Sequence, residues 1–157
     1  MAPVAPLARG ERVIVGLGLD LVDVARVKKL IASKGDRALA RMFTEREAAY
    51  ALARVHPYLH LAARIAAKEA AFKALSGTPG ARGIGWREME VVPRAGARPE
   101  LVLHGSALRR AAELGVVQMW LTLSHSDATA GAVVVLEGAA HVGEFVSGSL
   151  VIGRSHP

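Results

Sequence analysis

The polar and apolar positions divide the chain into two halves of different character. Residues 13–19, VIVGLGL, are apolar and rich in β-branched side chains without alternation, which predicts a buried strand ended by Asp20. Val24, Val27, Leu30 and Ile31 then recur at helical spacing; Ser33-Lys34-Gly35 weakens that pattern, and Leu39, Met42 and Phe43 continue it as a second helical stretch. Thr44-Glu45-Arg46-Glu47 has the form of a capping box, so a short helix to about Arg54 follows it. Pro57 suits the first turn of another helix, which runs to about Ser76 with Gly77 as its stop. Beyond it, residues 77–85 form a glycine-rich loop. Residues 86–92, 100–104, 118–124 and 130–137 read as strands, and a helix over 106–114, stopped by Gly115, interrupts them. The sum is an α+β domain, an antiparallel sheet packed with one long helix and shorter ones. The expected organisation is an N-terminal extension (1–12), one domain (13–137) and a partly ordered tail (138–157) that lacks a clear period.

Composition narrows the class. At 157 residues, 52% hydrophobic and 22% charged, the chain reads as one globular domain with a real core rather than a disordered segment. There are no cysteines, which removes disulfides, thiol catalysis and cysteine-ligated zinc. No apolar run approaches the roughly 20 residues that span a bilayer. Pro3 and Pro6 in an N-terminus without a long apolar stretch do not resemble a signal peptide, so a cytoplasmic enzyme, with no membrane partner, is the default. The net charge of +6 suits acidic partners, or simply solubility.

The long helix carries the most informative pattern, HLAARIAAKEAAFKAL over residues 60–75. At 100° per residue, Leu61, Ile65, Phe72 and Leu75 share an apolar stripe. Lys68 falls inside that stripe, Glu69 lies on its edge with Lys73 one turn beyond, and Arg64 lies on the opposite edge. An unpaired buried ammonium is costly. Two plain explanations are a snorkelling Lys68 and an ordinary Glu69–Lys73 surface pair. The functional alternative is a polyanion surrounded by Arg64, Lys68 and Lys73, with Glu69 helping to hold a cation. Seven alanines in this stretch either let another backbone or a ligand approach closely or reflect helix propensity.

Other groups are weaker alone. Asp20 at a strand end is most often a turn or cap residue; paired with a second carboxylate and substrate phosphates it suits magnesium. Ser124-His125-Ser126-Asp127 is either a polar turn with an Asx-type hydrogen bond or a reactive cluster, and without a G-x-S-x-G elbow a hydrolytic triad is disfavoured. His56 and His60 straddle Pro57 and supply only two metal ligands. Gly16-x-Gly18 lacks the third glycine of a dinucleotide fingerprint, and residues 77–80 lack a Walker lysine.

Three segments together resemble the small phosphopantetheinyl transferases of the holo-[acyl-carrier-protein] synthase class: GLGLDLVD over 16–23 with Arg26 beyond, RIAAKEAAFKAL over 64–75, and LSHS over 123–126. Lesser matches are FTERE over 43–47, the loop 77–85, and 96–99 before a strand. Ile65 departs from the usual aromatic, Ser126 occupies a variable position, and residues 138–157 have no counterpart. The resemblance implies that Asp20 and Glu69 bind Mg2+ with the coenzyme A pyrophosphate, and that Lys73 lies near the phosphate under attack. It implies that Arg64, Lys68, the 77–85 loop with Gly83, Ser124 and His125 contact coenzyme A, and that Arg26 meets the apo acyl carrier protein. It further implies a homotrimer with active sites between subunits, serving fatty acid biosynthesis. The serine proton would pass to Glu69 through a metal-bound water, or to His125; the two remain open.

Two rival classes are a basic nucleic-acid-binding domain and an inactive trimeric scaffold. Aromatic residues at 4% and the lack of a stacking or groove-reading motif weigh against the first. The presence of Asp20, Glu69 and Lys73 together weighs against the second.

Overall fold

The first apolar run is a longer strand than its composition suggested. In the computed structural model, which describes residues 12–76 and 83–139, β1 spans Arg12–Asp23. Asp20 therefore lies within the strand rather than ending it. Asp23 takes the capping role, its side chain accepting from the Arg26 amide at 2.8 Å. Helix α1 follows directly (Val24–Met42) and is two helical pieces joined at Gly35, whose φ of 52° and ψ of −137° are accessible to glycine alone. That is the break read from Ser33-Lys34-Gly35.

The capping box forms as expected. The Thr44 hydroxyl accepts from Glu47 N at 3.2 Å, and Thr44 N donates to Glu47 Oε2 at 2.9 Å, opening α2 (Glu45–Leu52). Pro57 occupies the first turn of α3 (Pro57–Leu75). The expected strand over 86–92 is instead a single 3-10 turn, Trp86–Glu88, followed by β2 (Met89–Val92). The turn closes because Glu88 N bonds Gly85 O at 3.1 Å, while the Glu88 carboxylate also accepts from Ala107 N. β3 (Glu100–Leu103), α4 (Gly105–Glu113), β4 (Val116–His125) and β5 (Thr129–Ala139) complete the order. The strands form two antiparallel sheets, β1-β5-β4 and the hairpin β2-β3. Apart from Gly138 and Ala139 in β5, the expected tail lies outside the described residues, as does nearly all of the expected N-terminal extension.

Helix α3 is buried on nearly every side. It lies along the inner face of the three-stranded sheet, against Ala132, Val134 and Leu136 of β5. Its approach to β1 is unusually close. A Cβ on Gly18 would sit 1.8 Å from the Ala70 carbonyl oxygen, and one on Gly16 would sit 2.3 Å from that of Ala74. The two glycines are thus spacers between helix and strand, and the paired alanines of α3 serve the same approach. Two strand residues rise about 6.6 Å and four helical residues about 6 Å. The pairs Gly16–Ala74 and Gly18–Ala70 therefore keep step, and the next inward residue of β1 is Asp20. On the outer face of the same strand Leu17, Leu19 and Leu21 are exposed.

Gly18→Ala should lower unfolding free energy by more than about 2 kcal/mol, since the backbone oxygen it meets cannot rotate away. Gly85→Ala, whose nearest neighbour lies 3.8 Å off, should change it by less than about 0.5 kcal/mol. Denaturant titration of both variants checks the contrast.

Candidate active site

Alternation along β1 turns Asp20 to the same side as Gly16 and Gly18, toward the flank of α3. There Lys73 donates to Asp20 Oδ1 at 2.7 Å and to the Leu19 carbonyl at 2.9 Å. The expected Glu69–Lys73 surface pair is not the contact that forms, because Lys73 is drawn across to the strand. Glu69 is half-buried on the same side of the helix and has no hydrogen-bond partner among the described residues. Its carboxyl is held above the ordinary carboxylate range, first by burial and then by the Asp20 charge, with Lys73 opposing both. Two carboxylates that feel each other's charge at an open seam, with a lysine between strand and helix, fit a hard divalent cation that takes its remaining ligands from phosphate and water. No group of three or more His, Asp or Glu among the described residues offers a complete protein cage.

Beside Glu69 opens a cavity of about 240 Å³ lined by Lys68, Glu69, Phe72, Ile84, Trp86 and Met89. Phe72 is a correction to the helical wheel: it is partly exposed at this mouth rather than packed in the stripe. Lys68 is a second correction. Its side chain is fully buried, so it does not snorkel, and its ammonium donates to Glu47 Oε2 and to the Trp86 carbonyl, each at 2.8 Å. Burial pushes its pKa down, and Glu47 opposes that. The Lys68 ammonium is thus paired with Glu47 within the wall of the cavity.

A second group gathers around the N-terminal half of α3. Arg64 is 3% exposed; it donates to the His60 carbonyl at 3.1 Å, and its Nε has no partner among the described residues. The Arg64 and Arg54 guanidiniums lie 4.3 and 4.1 Å from the Tyr50 ring centroid. Burial lowers the pKa of His60, as do the charges of Arg64, Arg54, His125 and His56. His125 therefore lies near enough to this cationic group for its charge to be felt at His60. Ser124 and His125 are exposed at the end of β4. The following turn closes through Ser126, whose hydroxyl accepts from Thr129 N at 3.2 Å, rather than through an Asx bond of Asp127. Gly83 stands beside the cavity wall at φ 91°. Arg26 is exposed on α1, among Lys28, Lys29, Lys34, Arg37 and Arg41.

Residues 16–134 match the family model of the 4'-phosphopantetheinyl transferase superfamily. The chain belongs to that superfamily. A holo-[acyl-carrier-protein] synthase of Anaeromyxobacter dehalogenans is 48% identical over 128 residues, covering 80% of this chain and 97% of that one. Among solved structures, the acyl carrier protein synthase of Mycobacterium tuberculosis is 35% identical, with a TM-score of 0.60 over 80% of this chain and 99% of that one. A Chronobacterium ammoniagenes synthase solved with coenzyme A is 28% identical, with a TM-score of 0.67 over 77% and 95%.

As a phosphopantetheinyl transferase, the chain carries groups that sequence reasoning passed over. Glu47 was legible only as a helix cap, although a lysine inside an apolar stripe demands a buried counter-ion. Tyr50, Arg54 and Trp86 gave no signal, because what matters is which side chains the fold stacks against them.

Asp20→Asn should lower the Glu69 pKa in the metal-free protein, because it removes a like charge and frees Lys73. NMR titration of the Glu69 side-chain carbon reads this directly; an unmoved or raised midpoint would contradict the coupling.

Proposed function

We propose that this transferase moves 4'-phosphopantetheine from coenzyme A to a serine of an apo acyl carrier protein. The products are holo carrier protein and 3',5'-ADP, and the reaction supports fatty acid biosynthesis in the cytoplasm. The observation that carries the reading is the seam where Asp20, Glu69 and Lys73 meet within a chain of this family. The serine hydroxyl attacks the β-phosphate that bears pantetheine, and the bond to the departing 3',5'-ADP oxygen breaks. Lys73 neutralises charge on the phosphate oxygens. Asp20 and Glu69 would hold Mg2+ with the pyrophosphate; the ion supplies charge neutralisation and in-line orientation. Glu69 and His125 are the two groups able to accept the serine proton.

The cationic group of Arg64 and His125, with Ser124 and Gly83, is assigned to the phosphates and nucleoside of coenzyme A. The cavity beside Glu69 is assigned to its pantetheine arm. Exposed cations on α1, with Asp36 as the lone acidic residue of that helix, favour an acidic carrier protein at Arg26 and give the net charge a protein partner rather than nucleic acid. The exposed apolar row Leu17, Leu19 and Leu21 supports a homotrimer, in which a second copy covers this face and active sites lie between subunits.

Glu69→Gln should keep the fold and lower transfer by about a hundredfold or more. The measurement is the mass of an apo carrier protein after incubation with coenzyme A and magnesium. Near-wild-type gain of one phosphopantetheine at saturating magnesium would overturn the assignment. Arg26→Glu should raise the KM for carrier protein about tenfold and leave that for coenzyme A within about twofold; equal losses for both would refute the docking role.

A further inference from the structure

Glu47 is a fully buried carboxylate with no place in the chemistry described so far. Its Oε2 accepts from Lys68 Nζ at 2.8 Å and from Thr44 N at 2.9 Å, and its Oε1 accepts from Val91 N at 2.9 Å. Lys68 in turn donates to the Trp86 carbonyl at 2.8 Å. The Glu47 charge also acts on Arg64, where it opposes the lowering of the pKa by burial. One carboxylate therefore offsets two buried cations of α3 and grips β2 through its backbone.

The geometry matters because of what lies on either side. Lys68 and Glu69 form one wall of the cavity, and Ile84, Trp86 and Met89 form the other. The Glu47–Lys68–Trp86 chain spans the two walls from behind, with the Lys68 ammonium 5.9 Å from the Phe43 ring centroid. A helix capped by Thr44 alone needs no buried acid at this depth. A buried pair is also weak support for stability, since apolar substitutes of similar volume are often neutral or better. The pair is better placed to set width than to add stability.

We infer that Glu47 is a positioning residue that, through Lys68, fixes the separation between α3 and the 84–89 segment, and so sets the affinity of the cavity for the pantetheine arm of coenzyme A. This rests on the assignment of that cavity under the proposed function. Misplacement of a wall by about 1 Å is enough to cost an order of magnitude or more.

The test uses the full chain and three variants: Glu47→Gln, Lys68→Met and Glu47→Leu/Lys68→Met. Transfer is measured with each substrate varied in turn, alongside the melting temperature. Glu47→Gln should raise the KM for coenzyme A about tenfold while that for the carrier stays within about twofold. The double variant removes both charges and should regain most of the melting temperature lost in the single variants, yet keep the raised KM for coenzyme A. The two single effects on that KM should be strongly non-additive, because both residues act through one link. A double variant that recovers stability and coenzyme A affinity together would show a purely structural pair. A folded Glu47→Gln with unchanged KM, or additive single effects, would assign any loss to Lys68 itself and overturn the inference. Failure of the wild-type chain to transfer at all would instead defeat the reading of function, which keeps the two failures apart.

Discussion

Helix α3 and strand β1 approach each other backbone to backbone, and the rest of the site follows from it. Gly16 and Gly18 leave no room for a side chain beneath the Ala74 and Ala70 carbonyls. Because helix and strand advance nearly in step there, the first inward side chain of β1 past the two glycines is a carboxylate. Lys73 reaches it at 2.7 Å. An acid from a strand and an acid and a lysine from a helix thus converge on two regular elements packed together.

Setting a helix so deep has a cost that the sequence must meet elsewhere. Arg64 and Lys68 travel into the interior with α3, and neither is tolerable there without compensation. Glu47 meets that demand for Lys68 through a direct ion pair and for Arg64 through its field, while Tyr50 offers its ring face to Arg64. The capping box that starts α2 is therefore also part of the electrostatics of α3. Local and long-range requirements fall on the same carboxylate.

Much of this was legible in the sequence, for identifiable reasons. The capping box, the proline at the first turn of α3 and the glycine break in α1 are short-range signals, and each appears where its chemistry put it. Asp20, Glu69 and Lys73 were legible only through resemblance, since Asp20 alone reads as a cap. Residues 86–88 read as strand because Trp, Arg and Glu carry no mark of the turn; the bonds that close it come from Gly85 and from the distant Ala107. Lys68 was flagged by its place in the stripe but misread, because its partner lies 21 residues away. A helical wheel shows what a residue faces, not what waits there.

The strand β1 also divides its labour by parity. Its inward positions at 16, 18 and 20 are held by steric exclusion and by charge, and there two glycines and a carboxylate satisfy them. Its outward leucines meet a looser demand within the chain, an apolar surface that a second copy can cover. Drift among Leu, Ile and Val on that side should be cheap, whereas an inserted or deleted residue would exchange the two sets at once. The strand is therefore permissive to substitution at alternate positions and brittle to any change of length.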